Sequence, residues 1–149
     1  MEPMREASLD LLVDLAQPVP DDAALDYATG AGMAGFSIAP EVETVEAVDE
    51  LPEMLEEGQR LALELGLVNV AFSLVDLHAL PYRDGAFTLI LCQDALHLLP
   101  DPARALAEMQ RVLSSDGRVV LLEPVVDEAT DEDLDRKSTR LNSSHIPLS

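Results

Sequence analysis

Residues able to do chemistry cluster early in this chain. The segment Leu25–Gly35 reads L-D-Y-A-T-G-A-G-M-A-G: an apolar run ending in Asp26, then Gly30, Gly32 and Gly35, with Asp49 further on. Glycines let the backbone turn tightly and approach a ligand without side-chain interference. An acidic residue about 20 positions later, at the end of the next strand, can hold both hydroxyls of a ribose. The chemistry on offer is binding of a nucleoside-containing cofactor.

The glycine spacing alone also fits G-x-G-x-x-G of dinucleotide enzymes, so an NAD(P)-linked oxidoreductase remains a rival reading. Asp26 separates the two. A dinucleotide brings its pyrophosphate to the glycine loop and the helix start, where backbone N–H groups draw anions. A carboxylate four residues before Gly30 would repel that anion. S-adenosylmethionine carries no phosphate; its ammonium and sulfonium suit a carboxylate through charge-assisted hydrogen bonds. The plainer reading of Asp26 is a carboxylate that caps its own loop.

Alternating strands and helices must position these residues. An apolar helical face runs over Ser8–Ala16 and stops at Pro18 and Pro20. Strands are expected at Ala23–Tyr27, Thr44–Val48, Val68–Val75, Phe87–Cys92 and Arg118–Glu123, with a short helix at Met33–Ile38. Pro52 suits the first position of a helix that closes at Gly66. Another helix spans Asp101–Leu113, followed by a turn at Ser114–Gly117. The almost wholly apolar Phe87–Cys92 marks a strand covered on both faces. This order predicts an α/β, Rossmann-like, mostly parallel twisted sheet with helices on both faces.

Composition narrows the function. The 149 residues suffice for one domain with a real core, and 48% are apolar. A net charge of −20 opposes nucleic-acid binding, because phosphates would be repelled over most of the surface. Cys92 is the single cysteine, so there is no disulfide framework, and we expect it inside its strand. The N-terminal sequence lacks a signal-peptide pattern, and no apolar run reaches the roughly 20 residues of a membrane span, giving a cytoplasmic expectation. Three scattered histidines and one cysteine suggest no metal site.

Charge changes character late in the chain. The first 134 residues hold six arginines, no lysine and 28 acidic residues, whereas the last 15 hold three basic residues against one acid. The tail D-R-K-S-T-R-L-N-S-S-H (Asp135–His145) resembles, codon by codon, the translation of a common sequencing-library adapter. The expected organisation is an N-terminal helix within 1–20, a cofactor-binding core over 21–126, an acidic linker at 127–134 and an artefactual tail at 135–149.

From Ala23 to Val126 the chain resembles class I S-adenosylmethionine-dependent methyltransferases, particularly the type 11 branch that includes ubiquinone/menaquinone-biosynthesis enzymes. Besides the glycine segment, the likeness is carried by V-D-E-L-P-E-M-L (Val48–Leu55) and D-L-H-A-L-P-Y-R-D-G-A-F (Asp76–Phe87). It continues with A-L-H-L-L-P-D-P (Ala95–Pro102) and R-V-L-S-S-D-G-R (Arg111–Arg118). The resemblance implies that Asp26 faces the methionine ammonium, with Ala28, Gly30 and Gly32 forming the floor under the cofactor. It implies that Asp49 takes the ribose hydroxyls, flanked by Glu50 and Leu51. Asp76 would accept from the adenine amino group, Leu77 would lie on the ring, and Gln93 would border the methionine end.

His97 is open to two readings, a packing residue or a general base toward an oxygen or nitrogen acceptor; His78 is expected as a loop residue beside adenine. Ala28 stands where many members have glycine, Thr88 replaces the usual aspartate after Phe87, and S-S-D-G replaces K-P-G-G. The family's last two strands are expected to be missing, leaving the fifth strand as an exposed edge prone to self-association. The implied function is methyl transfer to a small-molecule acceptor, with this chain a weak, inactive or purely binding form.

Overall fold

The structure, a computed structural model, describes residues 3–125 and 140–146. Helix α1 (Pro3–Ala16) leads into β1 (Ala23–Tyr27), α2 (Met33–Ile38), β2 (Thr44–Asp49), α3 (Pro52–Leu65) and β3 (Val70–Leu74). Then come β4 (Phe87–Gln93), α4 (Pro102–Val112), β5 (Leu113–Val125) and β6 (Arg140–Ile146). The six strands form one sheet in the order β3-β2-β1-β4-β5-β6, with β1 to β5 mutually parallel.

Helix ends follow local sequence. Pro52 begins α3, and Gly66 ends it in the left-handed conformation at φ 71°. Asp101 caps α4 by accepting from the Arg104 N–H at 3.1 Å. Strand periodicity sorts the core into two layers. Leu89 and Leu91 of β4 pack with Leu9, Leu12 and Ala16 of α1 and with Ala34 and Ile38 of α2. Ile90 and Cys92 point the other way, into a layer with Ala105, Met109 and Val112 of α4. Cys92 is fully buried, and burial pushes its thiol well above the ordinary range.

Three expectations need correction. The turn at Ser114–Gly117 lies within β5: Phe87 pairs with Leu113 and Leu89 with Arg118, so the extra residues are absorbed as an irregularity in the ladder. The third strand is shorter than expected, at Val70–Leu74. The fifth strand is not a bare edge. Residues Arg140–Ile146, in the tail expected to be artefactual, pair antiparallel along it from Val119↔Ile146 to Val125↔Arg140. Such pairing uses main-chain groups, so a polar sequence with no apolar period can supply it. The expected acidic linker at 127–134 lies outside the described residues.

One polar network anchors α1 to the sheet. Arg118 on β5 donates Nε–H to Ala16 O at 2.6 Å and Nη2–H to Gln17 O at 3.0 Å and Asp22 Oδ2 at 2.8 Å. Thr88 donates its hydroxyl to Asp22 Oδ1 at 2.7 Å, and Ala23 N–H donates back to Thr88 Oγ1 at 3.0 Å. The threonine that departs from the family pattern is therefore a partner of Asp22.

Candidate cofactor-binding site

The parallel strands place their carboxyl ends on one side, and the sheet order reverses direction between β1 and β4, where α/β proteins open a crevice. A cavity of about 380 Å³ lies there. After β1 it is lined by Ala28, Thr29 and Gly30; at the end of β2 and start of α3 by Asp49, Glu50, Leu51 and Met54; after β3 by Leu77. Beyond β4, Gln93, Asp94, Ala95, Leu98 and Leu99 complete it.

The glycine loop is held from below by Asp26. Its buried Oδ2 accepts from the Thr29 hydroxyl at 2.6 Å and the Gly35 N–H at 2.8 Å. Burial, with a smaller contribution from the Asp49 charge, pushes the Asp26 carboxyl up to about 6 despite those two donors. The loop itself needs left-handed backbone at Ala28, Gly30 and Gly32, with φ of 57°, 59° and 93°.

Asp49 joins loop to strand. Its Oδ2 accepts from the Gly30 N–H at 2.8 Å, and its Oδ1 from Glu50 N–H at 2.7 Å and Leu51 N–H at 3.2 Å. Three backbone donors thus fix the carboxylate in one orientation on the cavity wall. Glu50 reaches across to accept from the Leu77 N–H at 2.9 Å, while Leu77 O accepts from the Tyr27 hydroxyl at 2.5 Å. Leu77 is therefore fixed from both of its backbone groups, and its side chain is buried.

Of the residues singled out in sequence, Ala28, Gly30, Asp49, Glu50, Leu51, Leu77 and Gln93 meet around one cavity. Three others stand outside its lining. Asp26 lies beneath the loop, as in the loop-capping reading. Gly32 sits at the start of α2, where a Cβ would meet the Phe36 ring at 2.7 Å. Asp76 is exposed and accepts from its own turn, the His78 N–H at 2.8 Å, next to a neighbouring cleft with Arg104.

Sequence reasoning missed Thr29, Met54, Asp94, Ala95, Leu98 and Leu99. Met54 was within reach, because it stands in the first turn of the helix that Leu51 leads into. Asp94 was not: its left-handed φ of 56° is a property of the fold. His97 is not a packed core residue. It is 45% exposed in the short turn after β4, and its Nδ1 lies 2.8 Å from Glu123 Oε2 at the end of β5. Among the described residues, Glu50, Asp76 and His78 bring potential ligand atoms within 4.8 Å of one another, a grouping with a single histidine.

A parallel sheet with a glycine loop after β1 and the carboxylate of Asp49 at the end of β2 has the layout of a nucleoside-cofactor fold. A methyltransferase-domain family profile matches residues 19–146. The chain belongs to this methyltransferase family, whose cofactor is S-adenosylmethionine.

The uncharacterized methyltransferase YcgJ of Bacillus subtilis is 34% identical over 126 residues, covering 80% of this chain and 50% of that protein. The YcgJ crystal structure superposes with a TM-score of 0.79, over 88% of this chain and 55% of that one. Aklanonic acid methyltransferase DauC of Streptomyces is 32% identical over 117 residues, covering 76% of this chain and 53% of DauC. The demethylmenaquinone methyltransferase of Thermus thermophilus is 40% identical over 114 residues, 74% of this chain and 51% of that enzyme. The chain thus spans about half the length of the curated relatives it matches.

Proposed function

We propose that this chain is the cofactor-binding half of an S-adenosylmethionine-dependent methyltransferase acting on a small-molecule acceptor. One observation carries the choice of cofactor. Among the described residues, the cavity wall includes the carboxylates Asp49, Glu50 and Asp94 and not a single lysine or arginine. A pyrophosphate would enter against three like charges, whereas a ligand bearing a sulfonium and an ammonium is attracted. This argues against the dinucleotide alternative, despite the G-x-G-x-x-G spacing.

The residues fit the group. Asp49, already oriented by three N–H donors, is proposed to accept from the ribose hydroxyls, and Leu77 with Leu51 and Met54 to enclose the adenine. Gly30 gives the ligand open backbone, since only Met54 Cε approaches the place of a Cβ, at 3.6 Å. Gln93 borders the reacting end. Asp26 acts through the loop it holds, and Asp76 is proposed to meet adenine from the cavity rim. When bound, the cofactor supplies an electrophilic methyl group for in-line transfer to an acceptor lone pair. The protein contributes orientation and exclusion of water, worth several kcal/mol. His97, held by Glu123, is the proposed proton acceptor for an acceptor that must lose a proton.

Because the chain spans half of its relatives, a binding fragment without turnover is a second reading. Calorimetric titration with S-adenosylhomocysteine, with NAD⁺ as control, tests the first. Micromolar binding of S-adenosylhomocysteine alone is the expected result, and binding of NAD⁺ alone would overturn it. Turnover by the same chain with any acceptor would rule out the binding-fragment reading.

A further inference from the structure

At the opposite side of the sheet from β6, β3 is an edge: among the described residues no strand pairs with its outer side. The ladder bonds to β2 pass through odd-numbered residues. Asn69 O accepts from Val45 N–H at 2.9 Å, and Val75 N–H donates to Asp49 O at 3.0 Å. Bonding alternates along a parallel strand, so Val70, Phe72 and Leu74 turn their N–H and C=O groups outward.

Natural edges are guarded by charge, proline, bulges or a covering element. The β3 sequence V-A-F-S-L has no charge and no proline. The stretch Leu65–Val75 contains no charged residue at all, within a chain of net charge −20. Apolar side chains surround it: Val68 is 97% exposed, Leu63 82%, Leu65 61% and Leu74 59%. A shallow groove including Leu63, Leu67 and Val70 follows the α3 side of the strand.

We propose that this edge joins two copies of the chain by antiparallel pairing of β3 with β3, about a two-fold axis at Phe72. The outward groups are self-complementary in that register. Phe72 faces its own copy, and Val70 faces Leu74, so each pair exchanges N–H···O=C bonds. Electrostatics selects the same strip. Two copies repel across most of their acidic surfaces, and they meet without opposing carboxylates only where the carboxylates stop. A neutral strip offers no attraction to a basic partner, and a second copy needs none. The two-fold closes the assembly at a dimer.

Sedimentation velocity on the purified chain tests this without reference to cofactor binding. Measurements span a dilution series at 0.1 M and 1 M salt, where the screening length falls from about 10 Å to about 3 Å. The expected result is a monomer–dimer equilibrium that shifts toward dimer with concentration and with salt. Ala71 is exposed and next to the axis. Ala71→Glu is expected to weaken the dimer roughly tenfold, and mixing it with Ala71→Lys to restore pairing, which separates lost pairing from the like-charge cost of a new carboxylate beside Glu46 on β2. A monomer under all conditions, or a dimer indifferent to Ala71→Glu, overturns the proposal. Open-ended oligomers that persist in Ala71→Glu would equally overturn it, since their contacts would not run through the β3 pairing.

Discussion

Gly35 donates its N–H to Asp26 Oδ2 at 2.8 Å, and a methyl group placed on Gly35 would stand 2.9 Å from the same oxygen. The third glycine of the motif is thus required by contact and not by backbone conformation. Val45 Cγ1 closes the other side at 3.1 Å. Gly35→Ala is expected to cost about 1–3 kcal/mol in urea unfolding by forcing apart the loop and its carboxylate.

Asp26 itself makes stability depend on pH. Its carboxyl is raised from 3.8 to about 6 in the folded protein, so between those values the folded chain keeps a proton that the unfolded chain has lost. Its contribution is full below about pH 4, declines as pH rises through 6 and is gone above. Asp26→Asn should abolish this dependence. The stability of the wild type relative to Asp26→Asn is expected to fall by on the order of 3 kcal/mol between pH 4 and pH 7. Parallel curves for the two proteins would show that Asp26 titrates normally.

Ala28 holds a left-handed φ of 57° with a side chain that disfavours it. Ala28→Gly is expected to stabilise the protein by up to about 1 kcal/mol, the relief of strain being partly offset by glycine's greater freedom when unfolded. Gly32→Ala should do the opposite, because it combines φ 93° with a contact of 2.7 Å to Phe36. Thermal melting of both variants gives the two signs.

Removing Arg118 strands Asp22, whose side chain is only 3% exposed. Burial would raise that carboxyl, but hydrogen bonds from Arg118, Val19 and Thr88 together hold it below its ordinary value. Arg118→Ala is therefore expected to cost about 3 kcal/mol at neutral pH. The cost should shrink as acid protonates Asp22, since a depressed carboxyl contributes stability above pH 3.8 that is lost as pH falls further. Chemical denaturation at pH 7 and pH 3 checks both statements.

Asp49 ends β2 and Asp76 lies just beyond β3, yet only Asp49 lines the cavity. Asp49→Asn is expected to weaken S-adenosylhomocysteine binding at least about tenfold, a loss of roughly 1.4 kcal/mol or more. Asp76→Asn should weaken it less. The reverse order in titration calorimetry would place the principal polar contact at the rim.

Much of this architecture was legible because local punctuation agreed with tertiary demands. Pro52 and Gly66 bound α3 where the sequence puts them, and the buried run Phe87–Cys92 became β4 at the centre of the sheet. Residue directions were less legible. Asp26, Asp49 and Asp76 look alike at strand ends, and only the fold turns one into the cavity, one under the loop and one toward solvent. Ser114–Gly117 has turn chemistry, but its neighbour β4 draws it into a strand. The partnership of Arg118 with Ala16 spans 102 positions, beyond any periodicity. The strand at Arg140–Ile146 was invisible for a different reason: main-chain pairing leaves little trace in composition.

The clasp between Arg118 and the end of α1 also sets an order in time. On the ribosome α1 emerges long before β5, yet its apolar side chains Leu12 and Ala16 share a core with Val120 and Leu122. At about 5–20 residues per second, that helix waits roughly 5–20 s for its seat. Through that interval a nascent chain carries an unhoused apolar helix, a natural target for chaperones that shield newly made segments.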